Sequence, residues 1–184
     1  KKGCISVNNG KITVDLKIII GYPNLLHYVC DKFYKEAKTI SFDAIIGMSY
    51  FGIVHASYLS SKLNKPLCII KNEKKVQREL LDPANILNLN NGDDETKINL
   101  IIIVDSIEKG FRLSTFIHSV KTRIKNCNIQ AIFTICDNCV ATNKHLTLSN
   151  YYIYNIINSH DIINNLNEHK NINNEDFLKL YNTM

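Results

Sequence analysis

Residues 100–113 read LIIIVDSIEKGFRL, and this stretch decides the fold. An apolar run that ends in an acid, Asp105, has the pattern of a fully buried strand. Gly110 then punctuates the chain, and apolar residues at helical spacing predict a helix over 113–124. The same grammar recurs upstream. Residues 42–47, FDAIIG, predict a short buried strand. A helix follows over 52–63, with Ile53, Ala56, Tyr58 and Leu59 near one face, and Lys65-Pro66 breaks it. Residues 67–70 form another apolar strand.

Working outward, 12–20 alternates and then runs apolar, which predicts one strand. Pro23 stands at a helix start, and Leu26, Val29, Phe33 and Ala37 recur at helical spacing over 25–37. Strands are expected at 130–135 and 151–157, and helices at 162–166 and 175–180. His160-Asp161 and Asn174-Glu175 offer caps for the last two. Strands alternating with helices imply an α/β fold, a mainly parallel sheet with helices on both faces. Ligands in such sheets sit beyond the carboxyl ends of the strands. Three loops matter on that rule: 47–52, 71–78 and 105–112. Geometry alone leads to a nucleotide- or phosphate-type site and does not name the ligand.

Composition bounds the rest. The chain has 184 residues, 45% hydrophobic and 21% charged, as expected of one globular domain. No apolar run reaches the roughly 18 residues of a membrane span. No signal peptide is visible, and a cytoplasmic or otherwise intracellular location is expected. The chain begins at Lys1 rather than Met, so an upstream part is expected to be missing. The net charge of +5 comes from scattered lysines, with no basic stripe and no specific nucleic-acid site. Six cysteines are read as reduced, mostly buried thiols. Cys136 and Cys139 form a lone C-x-x-C with neither a second pair nor clustered histidines, so no metal site is expected.

The loops, in this order, resemble the type I phosphoribosyltransferases, and orotate phosphoribosyltransferase most of all. Residues 12–16, ITVDL, look like that family's early strand. Residues 42–56, FDAIIGMSYFGIVHA, are similar to its pyrophosphate loop, FD-x-x-x-G-x-x-Y-x-G-I-P-x-A. Residues 65–75, KPLCIIKNEKK, resemble its P-x-x-x-x-R-K-E-x-K segment, and residues 100–113 lie where it has its phosphoribosyl-pyrophosphate motif. The resemblance runs from about residue 2 onward, with the family's first helix absent. It implies transfer of ribose 5-phosphate from phosphoribosyl pyrophosphate to orotate, with Mg²⁺, in a dimer.

Carried over residue by residue, the resemblance puts Ser49, Tyr50, Gly52, Lys71, Glu73, Asp105, Lys109 and Gly110 at phosphoribosyl-pyrophosphate positions. Lys75 falls on the catalytic-loop lysine, and Asp137 and Asn138 fall on the base site. Lys75 and Asp105 are read as vestiges, because their surroundings depart from the family. Val104 replaces the first acid of the motif. Glu108 replaces a threonine, and a carboxylate about 4 Å from a phosphate is repelled by roughly 4 kcal/mol at an effective dielectric near 20. Phe111 and Arg112 replace small residues and are expected to fill the cradle. Asn138 replaces the arginine that grips orotate and cannot make its charged, bidentate contact. The expectation is a degenerate member, with no cofactor, acting as a homodimer or in a larger protein complex. Two alternatives stand beside it. One is an active, Mg²⁺-using orotate phosphoribosyltransferase; the other is a nucleotide or phosphoribosyl-pyrophosphate sensor without turnover.

Overall fold

The computed structural model describes residues 5–8, 11–70, 80–81, 97–108, 110–124, 126–137, 148–169, 172 and 177–178. A hairpin of β1 (Ile5–Asn8) and β2 (Lys11–Val14) forms a two-stranded antiparallel sheet of its own. Helices α1 (Lys17–Ile20) and α2 (Pro23–Ala37) follow. Next come β3 (Ala44–Gly47), α3 (Ser49–Leu63), β4 (Leu67–Ile70) and the short β5 (Leu80–Leu81). The remainder is β6 (Ile98–Ile107), α4 (Phe111–Arg123), β7 (Cys127–Asp137), β8 (Ile153–Asn158) and α5 (Ser159–Glu168).

The main sheet has the order β5-β4-β3-β6-β7-β8. Five of its strands run parallel, and β5 joins β4 antiparallel at one edge. Side chains alternate across β6, so the strand feeds two cores. Leu100, Ile102 and Val104 face Leu113, Phe116, Ile117 and Val120 of α4. Ile101 and Ile103 face the opposite core with Phe33 of α2, Ala56 and Leu59 of α3, and Ile162 of α5. A parallel sheet must be covered in this way, because its strands are apolar on both faces.

The predicted helices at 25–37 and 113–124 and the strand at 67–70 form, with ends that shift by up to two residues where they shift at all. Four expectations are corrected. The run 12–20 is not one strand. It turns after Val14, where the Asp15 carboxylate accepts the Lys17 N–H at 3.1 Å. This local bond competes with extension, and Leu16 and Ile19, three apart, then bury on one face of α1. Helix α3 begins at Ser49 rather than at residue 52, so Gly52 lies in its first turn instead of in a loop. Strand β6 continues beyond Asp105 to Ile107, because Ser106 and Ile107 stay in register with Cys136 and Asp137 and Ile107 is buried. The connection expected over 105–112 therefore shrinks to residues 108–110. Helix α5 is capped by neither His160 nor Asp161: the Asn158 side chain accepts the Asp161 N–H at 2.9 Å. Most of the helix expected at 175–180 lies outside the described residues.

Gly52 is where α3 meets β6. A Cβ there would lie 2.5 Å from the Ile103 carbonyl oxygen and 3.3 Å from Val104 Cα. The same carbonyl accepts the Met48 N–H at 2.8 Å. One carbonyl of β6 thus receives a hydrogen bond from the turn before α3 and the bare Cα of its first turn. We expect Gly52→Ala to lower stability by about 1–3 kcal/mol through this overpacking, outweighing a helix-propensity gain of up to about 1 kcal/mol. Urea denaturation measures the difference, and an unchanged midpoint would contradict the contact.

Candidate functional site at the carboxyl end of the sheet

The parallel strands bring their carboxyl ends to one edge of the sheet, and several sequence-chosen residues meet there. Ser49 and Tyr50 follow β3. Asp105 lies near the end of β6 and Gly110 in the turn behind it. Asp137 ends β7. Lys71, Glu73, Lys75, Lys109 and Asn138 lie outside the described residues.

After β3 the chain turns sharply. Ser49 has φ 67, in the left-handed region that a side chain rarely adopts. Its hydroxyl accepts the Gly52 N–H at 3.2 Å, the bond of a helix N-cap. Ser49 thus opens α3 behind Met48, and this cap-like bond offsets the strain. Tyr50 is 88% exposed above the turn.

Three residues separate β6 from α4. Gly110, at φ 71, caps α4 and accepts the Ser114 N–H at 2.9 Å. Only glycine takes that conformation without strain. Glu108 is exposed, so water screens it, and its repulsion of a phosphate falls to about a quarter of the value at a dielectric near 20. Phe111 is 70% exposed and Arg112 is exposed, so neither fills the turn as expected.

The two residues before the turn differ sharply. Val104 is 2% exposed and belongs to the α4 core. Asp105 is half-buried, and its Oδ1 accepts the Ser106 N–H at 2.8 Å. Thr134 of β7 is fully buried, and its hydroxyl stands 3.2 Å from the Asp105 carbonyl and 3.1 Å from that of Cys136. It pins β6 to β7 at the site. The sequence reading missed it, although a hydroxyl within the apolar run 130–135 was the available signal. Asp137 is 4% exposed, and its carbonyl accepts the Ser159 hydroxyl at 3.4 Å, tying β7 to the start of α5. Among the described residues no cluster of three His, Cys, Asp or Glu side chains could hold a metal ion.

His55 sits one turn into α3, 1% exposed, with Nδ1 2.6 Å from the Phe51 carbonyl oxygen. Its ring lies edge-on to Phe33 at 5.9 Å. This burial against Phe33 makes His55 part of the packed core of α3.

Ser49 yields a test of the cap. Ser49→Ala removes the hydrogen bond and keeps the strained φ, at a cost of about 1 kcal/mol. Ser49→Gly loses the same bond but relieves the strain, so it should destabilise less. Thermal or urea unfolding orders the two variants, and the reverse order would contradict the reading of this turn.

With this geometry in view, comparison with known proteins is specific. No family model matches the chain. An orotate phosphoribosyltransferase of Pyrobaculum aerophilum is 36% identical over 62 residues, 34% of this chain and 32% of the relative. That match thus spans about a third of the relative's length. An orotate phosphoribosyltransferase of Staphylothermus marinus is 23% identical over 147 residues, 72% of each chain. Among solved structures, UMP synthase of Leishmania donovani has a TM-score of 0.70 at 19% identity, covering all of this chain and 38% of that one. Orotate phosphoribosyltransferase of Aeropyrum pernix has a TM-score of 0.68 at 15% identity, covering 89% of this chain and 90% of that one. The structural likenesses speak to the fold, and the matches in sequence are short or of low identity. Together they give this chain the type I phosphoribosyltransferase fold and a partial similarity in sequence to orotate phosphoribosyltransferases.

Proposed function

We propose that this chain is a degenerate, orotate-phosphoribosyltransferase-like protein whose fold serves binding or assembly rather than turnover. The observation that carries the reading is the state of the β6 end. Transfer of a phosphoribosyl group passes through a cationic sugar, which the family's paired acids help to hold. Val104 stands where the first acid belongs and is buried in the core, so it presents no charge to a ligand. Asp105 remains, already accepting a backbone N–H. The turn behind it carries an exposed carboxylate, Glu108, where the family has a threonine. One carboxylate beside Val104 does not make a protein-held magnesium site.

The partner in this reading is a second copy of the chain or another protein in a larger complex. The sheet and its covering helices support a scaffold role, because their own side chains pack both faces of the sheet. No helix among the described residues is long and apolar enough to cross a membrane.

The test is turnover itself. Orotate consumption and orotidine 5′-monophosphate formation are followed with saturating phosphoribosyl pyrophosphate and Mg²⁺. We expect rates equal to a protein-free control; turnover on the order of 1 s⁻¹ or more, ordinary for an enzyme, would overturn the proposal. Light scattering on the same sample should give about twice the 21.0 kDa of one chain or a larger multiple. A monomer that also fails to join any larger complex would remove the assembly role.

A further inference from the structure

Buried polar atoms are almost always hydrogen-bonded. His55 breaks this rule at one atom. Its Nδ1 faces the Phe51 carbonyl oxygen at 2.6 Å, so Nδ1 carries the hydrogen. That leaves Nε2 as a bare acceptor, and it has no partner among the described residues although the residue is 1% exposed.

The surroundings give a second proton nowhere to go. From α2 the ring meets Phe33, which is apolar. The thiol one turn earlier on α2, Cys30, is fully buried and pushed up to about 12, chiefly by burial, so it stays neutral. Tyr154 of β8 lies beyond Phe33 at 6.3 Å, and burial raises its phenol, so it too is neutral. From β6, Asp105 is the one charged group among the described residues that acts on the imidazole. Its Oδ1 is occupied by the Ser106 N–H.

We infer that His55 is a proton-sensitive latch: neutral, it holds the first turns of α3 in place against β6; protonated, it loosens them and pulls on the Asp105 end of that strand. The added proton binds Nε2 and creates a buried N–H donor on a cation. Either the Asp105 carboxylate turns toward it, straining its bond to the Ser106 N–H, or the first turns of α3 open to water. Both movements fall on parts of the strand-end site, which would make the site acid-sensitive whatever it binds.

The direction follows from burial, which holds the imidazole below its ordinary 6.5 even though the Phe51 carbonyl and Asp105 pull it up. The opened state therefore binds protons more readily than the closed one. Stability of the closed state is full above 6.5 and is lost as pH falls below it toward the folded value.

Hydrogen exchange read by mass spectrometry tests this at about pH 7.5 and about pH 5.5, corrected for the intrinsic pH dependence. We expect the amides of residues 49–56 and 105–107 to exchange about tenfold faster at the lower pH, which corresponds to opening made easier by about 1.4 kcal/mol. His55→Asn places an amide N–H where Nδ1 donates to the Phe51 carbonyl but does not titrate, so its exchange should not change with pH. No acid response in the native chain, or the same response in the variant, would overturn the latch. If the variant does not fold, proton NMR of the native chain decides. A His55 midpoint below 6.5 that coincides with shifts of the Gly52 and Ser106 amides supports the latch. An ordinary midpoint, or one without those shifts, overturns it.

Discussion

The carbonyl of Ile103 is the joint on which this structure turns. It accepts the Met48 N–H and lies against the bare Cα of Gly52, so that β6, the end of β3 and the start of α3 meet at one oxygen. Nothing larger than glycine fits at residue 52. A second close approach, of Gly47 to Ile53, would set a Cβ 2.7 Å from the Ile53 Cα, so the turn is tight on both sides. Close packing then propagates outward, because interiors tolerate neither voids nor overlap. With α3 seated, Ala56 and Leu59 close one face of the sheet, and α4 closes the other with Leu113, Phe116 and Val120.

In the proposed reading, this joint also accounts for a site-like edge that persists where the phosphoribosyl chemistry is altered. The residues that shape the turn after β3 answer to packing as much as to a ligand: Gly47 and Gly52 by contact, Ser49 by its cap. On the proposed reading, the departures from the family pattern either add to the core or lie on the surface. Val104 adds apolar contact to the α4 core, where a carboxylate would have to be desolvated. Glu108, Phe111 and Arg112 are exposed and carry little of the fold.

Much of the fold is legible in the sequence, for identifiable reasons. Strand β6 and helix α4 are clear because long apolar runs and helical spacing are strong signals when a glycine separates them. The run at 17–20 misleads because consecutive isoleucines carry no period; the cue lies in the polar Asp15, whose side chain starts the turn. The start of α3 reads three residues late because Gly52 looks like a loop residue, and only the contact with Ile103 shows why glycine belongs inside a helix. At the candidate site, the shared position of Ser49, Tyr50, Asp105, Gly110 and Asp137 follows from parallel topology alone. The pinning by Thr134 and the unpartnered nitrogen of His55 are not legible. Both depend on which atoms meet across elements, and no spacing along the chain encodes that.

The central claim is that the frame is maintained by packing while the phosphoribosyl chemistry is lost. Calorimetric titration of the purified chain with phosphoribosyl pyrophosphate and Mg²⁺ at modest salt tests it most directly. The account predicts no binding heat up to about millimolar ligand, a free energy weaker than roughly −4 kcal/mol. Saturable binding near micromolar, with about one site per chain, would contradict it and would return Asp105 and the turn behind it to a working phosphate site.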